Sequence, residues 1–348
     1  MVQGIQANTN VQAFIKAHAS DHFYFDPAWL DLITSLYDYT FIPLTTTMGN
    51  GDLSGFLPLC YMRSQLTGRR LVSLPFSDYC PLLAEDEASA NDLVDQAIEL
   101  AKSKRVRYLE LRTGLHDALS RRTDLTIANL YQRWLVQLDP NSETVWGRIR
   151  PQARRKVKKA RQEGVQVRLA ESREDMLTYY RLHLLTRTKK HGMPSQPLTF
   201  FQRLWDTFAP TGKLHLELAE YKGQVIAAHI TVFSGKQARY MYGASDERYQ
   251  ELAAGYLLTW ESIVRSCQHG YQLLDLGRTA YDNPGLVQFK RSWGALEEAT
   301  PYYYYPAVQG LATTPESSKK YQLLTRCWQR LPLPISASLG GHLYRHLG

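Results

Sequence analysis

The sequence predicts a mixed α/β (α+β) protein of two domains, with largely antiparallel sheets and a helical tail. Three observations predict it. The chain has 348 residues, about twice the length of a typical domain. Helix-like and strand-like runs pass through two cycles, separated at Asp139-Pro140-Asn141-Ser142, where the residue before proline leaves helical space and the cluster favours turns. Several neighbouring strand runs are joined by turns too short for a crossover, which favours antiparallel pairing. The expected divisions are 1–140, 141–310 and a tail at 311–348.

In the first domain, Asp26 and Pro27 form a cap and first-turn pair that starts a helix running to Tyr37. Strands at Phe41–Thr47 and Leu53–Tyr61 flank the turn-rich Gly49-Asn50-Gly51-Asp52 and read as a hairpin. Arg70–Leu74, a helix at Ala88–Lys102, and strands at Val106–Arg112 and Trp134–Leu138 follow. The second domain opens with a helix at about Pro151–Glu163, closed by Gly164, then strand Val165–Ala170 and helices at Arg173–Lys190 and Leu198–Phe208. Leu214–Tyr221, Gln224–Phe233 and Gln237–Tyr242 are joined by Lys222-Gly223 and Ser234-Gly235-Lys236, a β-meander. Helix Ala254–His269, strand Leu273–Leu276, helix Leu286–Trp293 and strand Thr300–Tyr305 complete it.

Beyond a linker at 313–318, Leu324, Cys327, Trp328 and Leu331 recur at helical spacing beside Lys319, Lys320, Arg326 and Arg330. Ile335, Leu339, Leu343 and Leu347, four apart, suggest a second short helix. Two readings stand: an element packed on the body, or a foot on a membrane surface.

Composition excludes several classes. Hydrophobic residues at 44% and charged residues at 21% are those of an ordinary globular chain. The four cysteines form no CxxC pair, which disfavours zinc ribbons, redox motifs and disulfide frameworks and points to a reducing cytoplasm. No signal-like start and no run of eighteen apolar residues occur. The charge is concentrated: eight of the 41 Lys and Arg fall between Arg148 and Arg161 with no acidic residue, and the other 33 balance 33 Asp and Glu. The whole excess of +8 therefore lies in one short segment, a field suited to phosphates, acidic lipid or nucleic acid.

Within that segment Ile149, Ala153, Val157 and Ala160 form one buried stripe, so the cations project outward. Like charges four apart, Arg154 with Lys158 and Arg155 with Lys159, destabilise a helix unless an anion compensates, which favours an anion-binding role over a merely solvated face. A second constellation is Asp275-Leu276-Gly277-Arg278-Thr279 followed by Gly285-Leu286-Val287-Gln288-Phe289-Lys290-Arg291-Ser292-Trp293-Gly294. It reads as a strand ending at Gly277, a loop, and a helix, the arrangement in which polar groups face a cleft. From spacing alone, Lys290 is better explained as a surface lysine. Other motifs fail: Gly49-x-Gly51-x-x-x-Gly55 misses dinucleotide spacing, and Arg161-x-x-Gly164-x-Gln166 ends a helix where the pyrophosphate loop of acetyltransferases would begin one. His215-x-Glu217 lacks the distal ligands of a zinc deaminase, and no metal is expected.

The basic helix running into Gly164-Val165, the stretch Lys189-Lys190-His191-Gly192-Met193-Pro194, and above all the two segments around Arg278 and Lys290 resemble the FemAB-type transferases. Within these the chain is similar to the branch associated with exosortase and exopolysaccharide loci. The similarity is dense from 145 to 305 and thinner before it, where Leu74-Pro75-Phe76-Ser77-Asp78-Tyr79 is the best counterpart. The resemblance implies two tandem GNAT-like acyltransferase domains and direct N-acylation of an amine on a cell-envelope precursor, either a peptidoglycan peptide or an exopolysaccharide aminosugar. The donor would be aminoacyl-tRNA or acyl-CoA, with no further cofactor, and the acceptor an anionic sugar nucleotide or lipid-linked molecule. The family's Phe-Lys pair falls on Phe289 and Lys290, the lysine near the donor's reacting ester, and its arginine on Arg278. Asp275 and Asp78 are base candidates by position only, and each is better explained as a hydrogen-bonded structural carboxylate, because Asp is common at strand ends and in turns. Thr279, Arg154, Arg155, Lys158, His191 and Tyr242 complete the expected substrate-binding set. The expected location is cytoplasmic, with the inner membrane face as a variant. The rival classes are a non-catalytic RNA-binding module and a peripheral membrane protein, both using residues 148–161.

Overall fold

The computed structural model describes residues 9–306 and 319–347. Their chain folds into two compact units, one of residues 9–132, 299–306 and 345–347, the other of residues 133–298 and 319–344.

The first unit runs α1 (Thr9–Ala19), α2 (Pro27–Tyr37), β1 (Thr40–Thr47), β2 (Leu53–Ser64), β3 (Gly68–Val72), β4 (Leu83–Ala84), α3 (Glu87–Ser103), β5 (Tyr108–Leu111), α4 (Asp117–Ser120) and β6 (Thr126–Ala128). The local signals act as expected. The Asp26 carboxylate accepts the Ala28 N–H at 2.9 Å, and the β1–β2 hairpin closes through Met48 N–H to Asp52 O at 2.8 Å. Helix α3 turns Leu93, Val94, Ala97 and Ala101 onto Leu57, Leu59, Leu71 and Leu109, and burying each leucine contributes about 1.5–3 kcal/mol. Helix α1 is not foreseen, because only Val11, Phe14 and Ile15 of it are buried among polar neighbours. β4 and β6 are too short to show a period.

The second unit runs β7 (Tyr131–Gln137), α5 (Ser142–Arg148), α6 (Pro151–Gln162), β8 (Gln166–Leu169), α7 (Arg173–Leu184), a π-helical turn at Leu185–Lys190, α8 (Leu198–Phe208), β9 (Leu214–Tyr221), β10 (Gln224–Ser234), β11 (Gln237–Ser245), a 3-10 segment at Glu247–Leu252, α9 (Ala254–Gln268), β12 (Leu273–Ala280), α10 (Pro284–Arg291) and β13 (Leu296–Ala299). These strands form a sheet in the order β13-β7-β12-β11-β10-β9-β8. The meander β9–β10–β11 is antiparallel, as its short turns require. Helices α6 and α9 contribute Ala153, Val157, Ala160, Leu257, Leu258 and Ile263 to one core with Ala219, Ala227, Ala238 and Leu274 of the sheet. The small alanines of α6 let it sit close while its long cationic side chains stay outside that core.

The chain then gives β14 (Tyr302–Tyr305), α11 (Lys319–Gln329) and α12 (Leu333–Tyr344). β14 inserts between β5 and β6 in the first sheet, whose order is β1-β2-β3-β5-β14-β6 with β4 paired to β2. The observed units thus differ from the expected divisions. β7 falls before residue 140 yet belongs to the second sheet, and the tyrosine strand falls before residue 310 yet completes the first, where Tyr302, Tyr303 and Tyr304 are all buried. A strand buried on both faces belongs between neighbours, and sequence order alone does not say which. The tail helices belong to the second unit up to Tyr344, and the expected linker at 313–318 lies outside the described residues.

Candidate active site

β11 and β12 are parallel, but their pairing runs only from Gln237–Leu273 to Arg239–Asp275, although β11 continues to Ser245 and β12 to Ala280. The strands part because β11 carries an extra residue. Thr231 of β10 faces Tyr240 while the preceding Ile230 faces Tyr242, which leaves Met241 as a β-bulge. A bulge bends its strand and re-aims side chains. Tyr240 accordingly packs with the α6–α9 core, whereas Tyr242 stands edge-on to Phe200 and Phe201 of α8 and to His183 of α7. Tyr242 is therefore part of an aromatic cluster on the α7–α8 side.

The last rung before the opening is an ion pair. Arg239 Nη2 donates to Asp275 Oδ2 at 2.6 Å, Arg133 Nε lies 3.8 Å from the same oxygen, and Asp275 Oδ1 accepts the Gly277 N–H at 2.7 Å. Asp275 is fully buried. Both its oxygens hold the end of the strand, so the sequence-based candidacy of Asp275 as a base gives way to a structural role.

β12 does not end at Gly277 but continues through it to Ala280, with Gly277 at φ 75°. That left-handed conformation is open to glycine at little cost and turns the strand's carbonyls toward α10. There Lys290, only 4% exposed, donates from Nζ to Gly277 O at 3.0 Å and to Arg278 O at 2.9 Å. The lysine is thus neither on the surface nor in solvent. It staples helix α10 to the carboxyl end of β12. Beside it Arg278 is half-buried, and Thr279 is buried with its Oγ1 making no hydrogen bond among the described residues. α10 itself starts at Pro284, behind Asn283, whose side chain accepts the Leu286 N–H at 3.2 Å. Phe289 is anchored rather than presented, with its ring 5.0 Å from Tyr256 and 6.1 Å from Trp293.

Those ring contacts bring in a region sequence reasoning missed. Tyr256 lies in the first turn of α9, which follows the 3-10 segment after β11 and is entered through Ala253, a residue with φ 55° and no side-chain cap. The first N–H groups of a fifteen-residue helix thus lie next to α10, where an anion is stabilised. The signal was present. Gln250-x-x-Ala253-x-Gly255 has the spacing sought at Arg161, and unlike that candidate it runs from the 3-10 segment into the start of a helix, with alanine in place of the first glycine.

The basic helix reaches the same place. Arg150 N–H donates to Ser292 O at 2.9 Å, and Gly294, at φ 68°, lies where a Cβ would come within 2.9 Å of Arg148 O. The Phe-Lys-x-x-Trp-Gly segment is therefore the seat of the amino-terminal end of α6. Along α6, Arg155 and Lys158 are exposed and Arg154 and Lys156 half-buried, and none makes an ion pair among the described residues. Lys159 and Arg161 do, with Glu251 at 4.0 Å and Glu261 at 2.9 Å.

His191 and Asp78 are the remaining expected residues. His191 is exposed at the end of the π-helical turn, where Lys189 and Lys190 bind α11, so this stretch docks the tail. Asp78 belongs to the first unit, in the segment after β3, where its carbonyl accepts the Tyr302 hydroxyl at 2.7 Å. That segment holds Leu74 and Phe76 at positive φ, and the buried Arg112 guanidinium fixes it by donating to Ser77 O at 2.9 Å. A separate cleft of about 400 Å³ opens at the β8 edge of the second sheet, lined by Leu169, Trp205, Pro210, Leu214, His215 and Leu216, and includes none of the expected residues.

A family model described as an acetyltransferase (GNAT) domain matches residues 147–291, from α6 through α10. The chain is 31% identical over 85 residues to a lipid II:glycine glycyltransferase of Staphylococcus epidermidis, covering 23% of this chain and 20% of that protein. It is 24% identical over 138 residues to the UDP-N-acetylmuramoylpentapeptide-lysine N(6)-alanyltransferase of Weissella viridescens, covering 40% of each. The chain thus spans less than half the length of these curated relatives. Among solved structures, FemX superposes with a TM-score of 0.67 over 93% of this chain and 99% of that one at 15% identity. A tandem GNAT protein from the clavulanic acid biosynthesis pathway superposes at 0.50 over 82% and 95%, at 13% identity. The mixed α/β architecture with GNAT-like sheets, expected from the resemblance, is the observed fold.

Proposed function

We propose, from the premise that this chain is a FemAB-like protein of the GNAT superfamily, that it transfers an acyl group to an amine of a peptidoglycan precursor, with aminoacyl-tRNA as donor. One observation carries the reading. The opening between β11 and β12, the amino terminus of α9, the Lys290 staple and the seat of α6 are joined by direct contacts, so anion-binding groups and a strand end converge on one place. The names of the curated relatives support a peptidoglycan amine as acceptor. The choice of donor rests on charge: a row of cations along α6 without carboxylate partners exceeds what one pyrophosphate needs and suits a polyanion. Alanine at position 253, where the acetyltransferase loop has glycine, argues in the same direction.

The chemistry needs no covalent enzyme intermediate. A neutral acceptor amine attacks the donor ester carbonyl, a C–N bond forms, the tetrahedral oxyanion collapses with loss of the ribose oxygen, and the amine proton passes to that leaving group. The protein's contribution is orientation and electrostatics. The helix α9 terminus and the α6 cations hold donor phosphates. The Thr279 hydroxyl and the Arg278 guanidinium, at the end of β12, stand where the reacting carboxyl derivative is bound. Lys290 positions both by fixing the carbonyls of residues 277 and 278, and its buried charge favours a developing oxyanion.

The test is mass spectrometry of a lysine-containing peptidoglycan precursor incubated with the protein and either charged total tRNA or acetyl-CoA. An aminoacyl mass increment that requires charged tRNA is expected. An acetyl increment instead would transfer the donor assignment to acyl-CoA, and no increment with either donor would overturn the enzyme reading.

A further inference from the structure

The tail helices have two faces with different fates. The inner faces are committed to the second unit. Lys189 Nζ donates to Gln329 O at 3.1 Å, the last residue of α11, and to Leu331 O just beyond it at 2.8 Å, and Gln329 Nε2 returns a bond to Lys190 O at 3.2 Å. Gly192 lies against the Thr325 carbonyl where no Cβ fits. On α12 the buried Ser336 hydroxyl bonds Thr188 at 2.7 Å, and Gly340 lies so close to Ser195 that a Cβ would meet its nitrogen at 2.9 Å. Small residues and a lysine clamp thus fix how these helices are turned.

That fixed orientation leaves large apolar side chains outside. Leu323 and Leu324 of α11 are 64% and 56% exposed, and Ile335 and Leu339 of α12 are 48% and 45% exposed. Ile335 and Leu339 stand one turn apart on a single stripe. Arg326 of α11 and Arg330, just beyond its end, are exposed and make no ion pair among the described residues. Over residues 319–344 the sequence has four Lys and Arg and no Asp or Glu. No helix among the described residues is long and apolar enough to cross a membrane.

We propose that α11 and α12 form a foot that seats the protein on an anionic bilayer surface, with Leu323, Leu324, Ile335 and Leu339 entering the headgroup region and Arg326 and Arg330 pairing with lipid phosphates. Apolar side chains beside cations, with no acidic residue, match the requirements of interfacial binding. A second copy of the chain fits less well, because a two-fold contact would bring one all-cationic face against another. The proposal is independent of the acyl-transfer chemistry, since the foot shares no residue with the β11–β12 opening.

The test is sedimentation of the full chain with vesicles of phosphatidylglycerol and phosphatidylcholine, or of phosphatidylcholine alone. Binding to the anionic vesicles is expected, weakened about tenfold or more on zwitterionic ones. Leu324→Glu with Leu339→Glu, and separately Arg326→Glu with Arg330→Glu, should each abolish most of it while the melting temperature and turnover on a water-soluble acceptor are retained. Two double variants are used so that misfolding of one leaves the other decisive. Failure to bind anionic vesicles, undiminished binding by both variants, or a vesicle-independent dimer dispersed by the same substitutions would overturn the foot.

Discussion

Arg239 and Asp275 are at once the last register partners of the parallel β11–β12 pair and a buried ion pair, 2.6 Å from Nη2 to Oδ2. The place where backbone pairing stops is thereby locked by side chains. Removing one member of a buried pair leaves the other charge without its counter-ion, which costs about 3–5 kcal/mol. Asp275→Asn should therefore lower the urea midpoint by a corresponding amount. A base at that position would instead show lost turnover with stability unchanged.

Lys290 gives a mixed outcome. A surface lysine would be replaced with a stability change within about 0.5 kcal/mol. The observed ammonium satisfies two backbone carbonyls, and leaving such buried groups without a donor costs about 1–3 kcal/mol each. Lys290→Met should thus reduce both stability and transfer. The transfer loss should persist at low temperature, where the variant is fully folded by circular dichroism. Full activity there would remove Lys290 from the site.

The α6 cations should behave in the opposite way. Neutralising Arg155 and Lys158 removes like charges from one helix and should leave stability unchanged or raise it by about 0.2–0.5 kcal/mol. Donor binding should weaken, and the log–log salt dependence of its affinity should fall by about 1 for each donor phosphate that is no longer neutralised. An unaltered salt slope would place the donor elsewhere. Retained tRNA binding in Lys290→Met without any turnover in the wild type would favour the RNA-binding module.

Two buried histidines set an acid limit. Burial pushes the His229 imidazole down to about 3, and burial with the nearby Arg187 charge does the same to His183 against the pull of its bond to Gln196. In the unfolded chain each has its ordinary value near 6.5. Below pH 6.5 the unfolded state therefore binds more protons, and stability falls by about 1.4 kcal/mol per pH unit for each histidine until the folded protein protonates near pH 3. Unfolding curves at pH 7 and pH 5 should show this loss, to which His191 and His215, held down at about 4, add over the same range, and His229→Gln should reduce the slope. Equal stability at both pH values would contradict the buried neutral imidazoles.

Much of the fold was legible because its signals are local. Asp26-Pro27 caps α2 in its expected place, and the Lys222-Gly223 and Ser234-Gly235-Lys236 turns join the meander strands. The stripe Ala153, Val157 and Ala160 is buried as its spacing required. What escaped depends on distant partners. Tyr302–Tyr305 reads as a strand, but its place between β5 and β6 is decided by a sheet finished some 170 residues earlier. The opening at the site arises from one extra residue, Met241, in an otherwise regular strand, and no periodicity marks it. The burial of Lys290 likewise follows from Gly277 turning its carbonyl toward α10, a backbone event that residue types only hint at. His191 and Tyr242 carry no local signal of their settings: the first closes the turn that docks the tail, and the second packs against Phe200 and Phe201.

The most direct measurement of where the donor binds is hydrogen–deuterium exchange of the full chain with and without a non-hydrolysable aminoacyl-tRNA analogue. Slowed exchange is expected in the first turn of α9, at residues 277–280 and along α10, together with α6. Protection confined to the Leu169–Trp205–His215 cleft, with those segments unaffected, would contradict a donor site between β11 and β12.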